Sequence, residues 1–240
     1  MKPGDIIKSA NNKHYTIIRD VAAGDRPNAN VYLCEDENQK KHIAKYFYKQ
    51  RPMPNIAYGK KNHFGRRRDG SRLVFDEIRR MSKKNDFIID HVERIKHNGK
   101  WVIILQYIDG ITLTEFVKKH KSDNEIVYKA IIAFAKTLSK WHKNGFAHGD
   151  PHLDNCIVET TTTGELMVSL IDYSQIHHED FHYCKQYDCF KTNRERRLIE
   201  DLVNNTSHFG RGFKTEIFAL QKEIGYSNSL AELFDKYYVT

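Results

Sequence analysis

Two short stretches hold the residues whose types and spacing could do chemistry: "HGDPHLDNCIVE", His148–Glu159, and "SLIDYSQ", Ser169–Gln175. In the first, Asp150 stands in a loop before the apolar run "CIVE", and Asn155 follows five residues later at the start of that run. In the second, Asp172 ends another apolar run. If the two runs form one hairpin, these three oxygen-bearing side chains converge at a single mouth. Phosphoryl transfer asks for little more: a base for the acceptor hydroxyl, oxygen ligands for Mg2+, and a cation on the nucleotide phosphates. Asp and Asn oxygens suit Mg2+, a hard ion. Taken alone, the same residues are also what an ordinary turn is made of.

The chain must supply elements to position them. "HYTIIRDV", "NVYLCED" and "KHIAKYFYK" read as three antiparallel strands, with Gly24 and Pro27 in the first gap. Residues 50–72 carry Pro52, Pro54, Gly59, Gly65 and Gly70 without a steady period and read as a long loop. "SRLVFDEIRRMSKK" follows as a helix that Ser71 can cap, with apolar residues at 73, 74, 78 and 81 on one face. Two more strands flank the Asn98-Gly99 hairpin signal. From Gly110 onward helices dominate: "TLTEFVKKH", then "NEIVYKAIIAFAKTLSKWHKNG", where Ile126, Ala130, Phe134, Leu138 and Trp141 form a stripe and Gly145 a stop. Within this half sit the strands "CIVE" and "ELMVSLI", joined by "TTTTG".

Composition sets the outer bounds. At 240 residues the chain holds one large domain or two small lobes. "WVIIL" and "AIIAFA" are too short to span a bilayer, and the N-terminus lacks the apolar core of a secretion signal. The expected location is the cytoplasm, with leaderless export as the alternative. Cys34, Cys156, Cys184 and Cys189 are too sparse for a disulfide framework. The formal charge is +8, and Lys40–Arg68 holds ten Lys or Arg and no Asp or Glu, a run that attracts anions or is simply a solvated face. "HHEDFHYC", with His177, His178, His182 and Cys184, and then Cys189, has no spacing of a closed zinc site and reads as a His-rich loop.

The order of these pieces is specific. "HGDPHLDN" resembles the catalytic loop of the protein-kinase-like superfamily, H-x-D with Asn five residues after the Asp, and "IDYS" resembles its D-F-G. "WHKNGFAHGDPHLDNCIV" is similar to the corresponding stretch of bacterial lipopolysaccharide core heptose kinases. The resemblance implies an α+β, two-lobed fold: residues 1–108 a nucleotide-binding lobe with a five-stranded sheet and one helix, residues 109–240 a reduced, mainly helical catalytic lobe. It implies ATP and Mg2+ as cofactors, with Asn155 and Asp172 on the metal and Asp150 as the catalytic base. Lys45, in "IAK", becomes the phosphate anchor, and Glu77, off the apolar face of its helix, the partner that orients it, with Asp76 the neighbouring alternative. Aligning Val31 and Tyr32 with the family's glycine-rich loop places Gly24, Arg26 and Ala29 at the three glycine positions, so that Arg26 or Asn28 side chains substitute for missing backbone contacts. In "IILQYIDG", Leu105 takes the place of the gatekeeper, and the Gln106 carbonyl and Ile108 N–H face the adenine edge.

Departures from the pattern matter too. Gly149 stands where protein kinases carry the Arg that reads activation-loop phosphorylation, so that mode of control is not expected. His152 stands where they carry a Lys, and either meets the γ-phosphate or braces Asp172. Tyr173 and Ser174 replace Phe and Gly, which implies a less mobile switch. Asp201 or Asp188 would brace the catalytic loop from below. The resemblance implies an acceptor hydroxyl on an anionic substrate, first a sugar of lipopolysaccharide core and second a protein Ser or Thr, with the basic 40–68 run suited to a membrane surface at the inner membrane and no specific nucleic acid expected. A nucleotide-binding module without catalysis is the third reading, kept alive by the depleted glycine loop.

Overall fold

A computed structural model describes residues 1–21, 29–47, 72–148, 152–173, 176–178, 213–226 and 229–238. The chain separates into two compact units, Met1–Tyr107 and Ile108–Thr240, of mixed α+β composition. Among the described residues no helix is long and apolar enough to cross a membrane.

Among its described residues the first unit holds a six-stranded antiparallel sheet and one helix, α1 (Arg72–Ser82). Its strands are β1 (Ile6–Lys8), β2 (His14–Asp20), β3 (Asn30–Glu35), β4 (Lys41–Phe47), β5 (His91–His97) and β6 (Lys100–Gln106), in the spatial order β1-β2-β3-β4-β6-β5. The expected sheet had five strands. The addition is β1, which pairs Ile6, Ile7 and Lys8 with Thr16, Tyr15 and His14. Three residues with one buried side chain, Ile7, are too few to show a period of two.

β6 alternates strictly. Val102 and Ile104 join Ile7, Tyr15, Ile17, Tyr32, Cys34, Ala44 and Ile95 in an inner core, while Trp101, Ile103 and Leu105 face the other way, toward Ala29, Phe47 and Phe75 of α1. The β5–β6 turn is the expected one: Asn98 and Gly99 both have positive φ, 48° and 74°, as a tight hairpin of matching twist requires.

A bulge in β5 decides what this sheet carries on each side. His91 pairs with Leu105, yet Glu93 pairs with Ile104, the very next residue. In a regular strand His91 and Glu93 would share a face; the extra residue, Val92, separates them. His91 goes to the α1 side and Glu93 to the inner side. There the Glu93 carboxylate accepts from Ser9 Oγ at 2.5 Å and from the Tyr15 hydroxyl at 3.1 Å. Because β1 and β5 are the two ends of the strand order and come into contact, Glu93 closes the seam of a curled sheet. Burial, reinforced by the Glu93 charge and hydrogen bond, pushes the Tyr15 hydroxyl far above its ordinary pKa, so it stays a donor.

In the second unit, Thr112 and Glu115 form a reciprocal capping box at the start of α2 (Leu113–Lys119). Asp123 caps α3 (Asn124–Lys143), and Gly145, at φ 77°, ends the turn that follows it. Of the expected stripe, Ala130, Phe134, Leu138 and Trp141 are buried; Ile126, in the first turn, is half-buried and Val127 takes its place. A three-stranded sheet, β10-β9-β7, is built from β7 (Ile111–Thr112), β9 (Cys156–Thr160) and β10 (Leu166–Leu170), and β8 (Phe146–Ala147) pairs with β11 (His177–His178). α4 (Phe213–Ile224) and α5 (Leu230–Tyr237) are the remaining helices among the described residues of the unit. Gly110 is required for a reason beyond its turn: a Cβ there would stand 2.2 Å from the Val158 carbonyl oxygen of β9.

Replacing Glu93 with Ala strands two largely covered hydroxyls, at a cost of about 1–3 kcal/mol. We expect Glu93→Ala to lower the melting temperature by several degrees, with Glu93→Gln losing less. An unchanged melting curve for Glu93→Ala would contradict the seam.

Candidate functional site

In the first unit the register places Lys45 opposite Val31 on one side and opposite Ile103 on the other, so all three share the α1 face of the sheet. Leu105 belongs to that face, one pair along, with His91 across from it. The Lys45 ammonium lies 5.7 Å from the centre of the Phe47 ring. On α1, Glu77 is buried while Asp76 is exposed. The expectation that Glu77 lies off the apolar face therefore fails: it sits between Phe75 and Ile78, both buried, on the side turned to the sheet. Ala29 is buried within the Phe47–Phe75 cluster. Gln106 is tied at the sheet's end, its N–H donating to the Asp90 carbonyl at 3.0 Å and its side-chain oxygen accepting from Asp90 N at 3.2 Å. Gly24, Arg26 and Asn28 lie outside the described residues.

His91 is buried on this same face, its ring 5.7 Å from that of Phe75 and its Nδ1 3.4 Å from the Ile89 carbonyl. Burial lowers its pKa to about 3; the Ile89 carbonyl opposes and the positive charge of Lys45 assists. A neutral imidazole therefore sits within the field of Lys45.

In the second unit, "CIVE" and "ELMVSLI" form the expected hairpin, pairing Cys156 with Leu170 and Val158 with Val168. A single turn of 3-10 helix, Leu153–Asn155, leads into β9. Just beyond the last β10 pair, Ile171 N–H donates to the Asn155 carbonyl at 2.8 Å. The Ile171 carbonyl in turn accepts from His148 Nε2 at 2.7 Å. With both polar groups of Ile171 engaged, the backbone leaves it in a fixed direction, and Asp172 adopts φ 61°. That left-handed conformation is uncommon outside glycine, and short polar residues such as Asp are among the few that tolerate it. Such positions concentrate at functional sites. Tyr173 is buried, and its hydroxyl donates to the Leu170 carbonyl at 2.8 Å. Asp172 is thus bracketed by two anchored residues.

His148, named above only as part of a motif, is buried and packs against Trp141, Tyr173 and Phe213. A histidine two residues before a loop Asp was its only trace in the sequence. His142, at the end of α3, meets the Tyr238 hydroxyl at 2.5 Å; burial, with a contribution from His148, lowers its pKa to about 4. His152 is half exposed, with Nδ1 3.8 Å from Oε2 of Glu216 on α4. The His-rich stretch begins as packing: the His178 ring lies 4.2 Å from that of Phe146, and its Nε2 donates to the Asn144 carbonyl at 3.0 Å. Asp150, Gly149, Ser174, His182, Cys184, Asp188, Cys189 and Asp201 lie outside the described residues.

The donor set at the hairpin mouth fits a hard cation. Asn155 and Asp172 supply oxygens from half-buried positions, whereas the Cys156 thiol is buried and its pKa is pushed well above the ordinary value, so no thiolate competes. Among the described residues, no group of three or more His, Cys, Asp or Glu stands ready as a self-contained metal site. Substrate phosphates and water normally complete the shell of Mg2+.

A family model described as the ABC1 atypical kinase-like domain matches residues 77–206, more than half of the chain. The match runs from Glu77 through Asp150, Asn155 and Asp172, and leaves out β1 to β4 with Lys45, as well as α4 and α5. No curated protein matches the chain.

Asp172→Asn should melt within about 2 °C of the parent, whereas Asp172→Val, a β-branched residue forced to positive φ, should cost about 1–2 kcal/mol or more; equal melting temperatures would contradict the left-handed backbone. His91, neutral in the fold with a pKa of about 3 against an ordinary 6.5, binds its proton more readily when unfolded. Its contribution to stability is complete above pH 6.5 and is lost as pH falls from there toward 3. Thermal melts between pH 7 and pH 4 should show this loss, reduced in His91→Leu; a parallel loss in the variant would assign it to other groups.

Proposed function

Because the chain belongs to the ABC1 atypical kinase-like domain family, we propose that it is an ATP-dependent phosphotransferase that moves the γ-phosphoryl group of ATP onto an acceptor hydroxyl. The observation that carries this reading is the fixed mouth of the β9–β10 hairpin. There Asn155 and Asp172 are held through the Asn155–Ile171 hydrogen bond, and Asp172 takes a left-handed conformation.

In this reading residues 1–108 are the nucleotide-binding lobe and residues 109–240 the catalytic lobe. Lys45 neutralises the α- and β-phosphates and Glu77, buried on α1, orients it. Asn155 and Asp172 would hold Mg2+, which would supply positive charge to offset that developing on the transferring phosphoryl group. Asp150 accepts the proton of the acceptor hydroxyl as the new O–P bond forms and ADP departs. Leu105, on the face of Lys45, borders the base, and the backbone of Gln106 and Ile108 meets its edge. The buried, anchored Tyr173 is at odds with a switch that swings the metal-binding aspartate away.

The acceptor we assign first is a sugar hydroxyl of lipopolysaccharide core, on the likeness of "WHKNGFAHGDPHLDNCIV" and on the acid-free basic run Lys40–Arg68, which suits an anionic glycolipid at a membrane surface. The competing acceptor is a protein Ser or Thr, this chain's own included.

Transfer of label from γ-labelled ATP with Mg2+ tests the reading, with core oligosaccharide, a general protein substrate, or the chain alone as acceptor. Asp150→Asn should lower transfer by about 10²-fold or more, the usual weight of general base catalysis, and Lys45→Ala should abolish it, both folding as the parent does. Label on oligosaccharide supports the first acceptor, and label on protein replaces it with the second. Transfer by Asp150→Asn at the parent rate would refute the mechanism.

A further inference from the structure

α4 begins after the stretch that the family model matches, yet it brings a carboxylate to the catalytic loop. The helix is firmly seated. Phe213, Ile217 and Leu220 are buried, and the Phe213 ring packs on those of Phe134 and His148 at 5.0 and 6.2 Å. Polar links fasten its exposed side: Glu223 to Lys118 of α2 at 2.7 Å, Lys214 to Asp235 of α5, and the Gln221 side-chain oxygen to Leu230 N, at the start of α5, at 2.9 Å.

From this base the Glu216 side chain, only 20% exposed, reaches to 3.8 Å from Nδ1 of His152. The other half of the pair is fixed as well. The His152 carbonyl accepts from Asn155 N at 2.9 Å and from the Cys156 thiol at 3.7 Å, which ties the His152 backbone to the turn that carries Asn155. The ring itself is 48% exposed. A polar contact with one partner half in water adds little to stability, so the fold gains little from this arrangement. What the arrangement does set is the ring's electrostatic surroundings: at 3.8 Å, outside hydrogen-bond reach, the carboxylate's field favours a proton on the Nδ1 edge and leaves Nε2 on the opposite edge of the ring.

We propose that Glu216 is a positioning residue for phosphoryl transfer, acting through His152: the carboxylate on α4 sets the imidazole so that Nε2 meets the transferred phosphoryl group, two residues along the loop from Asp150. The proposal rests on the kinase reading above. It extends the catalytic apparatus to a helix that lies outside the matched family stretch, and it gives His152 a role distinct from metal binding. Of the two roles the sequence left open for His152, it selects contact with the phosphoryl group over a brace on Asp172.

The test uses the full chain with Mg2+ and γ-labelled ATP, reading labelled product and labelled inorganic phosphate, together with 15N spectra of the histidine rings at pH 8. Glu216→Gln and His152→Asn should each lower kcat about 10-fold, the weight that orienting partners of this kind carry. KM for Mg-ATP and the melting temperature should stay as in the parent. The double variant should be no slower than His152→Asn, and Glu216→Asp should recover part of the loss. The parent His152 ring should populate the Nδ1–H form more than the Glu216→Gln ring does. Additive losses in the double variant, a kcat unchanged in Glu216→Gln, or a ring spectrum indifferent to Glu216 would overturn the proposal. A parent chain that transfers no label while its His152 spectrum responds to Glu216 would instead sink the kinase reading and leave the pairing standing as geometry alone.

Discussion

The second unit turns on one residue that does no chemistry. Ile171 gives its N–H to the Asn155 carbonyl and takes the His148 imidazole on its own carbonyl. Those two bonds join the loop before β9, the entry to β9 and the exit of β10. They also leave the next residue little choice of direction, and Asp172 turns left-handed as a result. A fixed backbone around an oxygen ligand is worth more to catalysis than the ligand's identity alone, because a site that reorganises during reaction spends its binding energy on ordering itself. The aromatic packing of His148 on Trp141, Tyr173 and Phe213 keeps this junction in place from below, and α3 carries Trp141 as part of its buried stripe.

In the first unit the equivalent constraint is the bulge at Val92. It lets one short strand serve two purposes: Glu93 turns inward to close the curled sheet against Ser9 and Tyr15, and His91 turns outward to the face where Lys45 stands. A neutral imidazole beside Lys45 adds no positive charge to that face. A protonated one would, and its cost is part of why the ring stays neutral.

Much of this was readable in the sequence where local physics decides the outcome. Asn98-Gly99 tolerates two positive φ values, and the stripe from Ala130 to Trp141 has only one way to be buried. The hairpin that brings Asn155 toward Asp172 was legible because two apolar runs flank a turn of threonines and a glycine. What stayed hidden depends on partners distant in the chain. β1 is too short to show a pattern and exists because β2 offers it an edge. The bulge in "HVERI" leaves no compositional mark, so alternation alone puts His91 and Glu93 on one face. Gly110 looks like a turn glycine and is needed because β9 passes against it. Glu77, a charged residue in an amphipathic helix, reads as exposed, yet it is buried. The meeting of His152 with Glu216 joins a loop to a helix that lies beyond a long stretch of uninformative sequence.

On the reading proposed here, Asn155 and Asp172 bind a divalent cation together with the nucleotide. Water-proton relaxation with Mn2+ in place of Mg2+ reads this directly. Mn2+ should be immobilised on the chain only when ATP is present, and Asp172→Ala and Asn155→Ala should each abolish the enhancement while the variants remain folded. Enhancement of parental size in Asp172→Ala would contradict it.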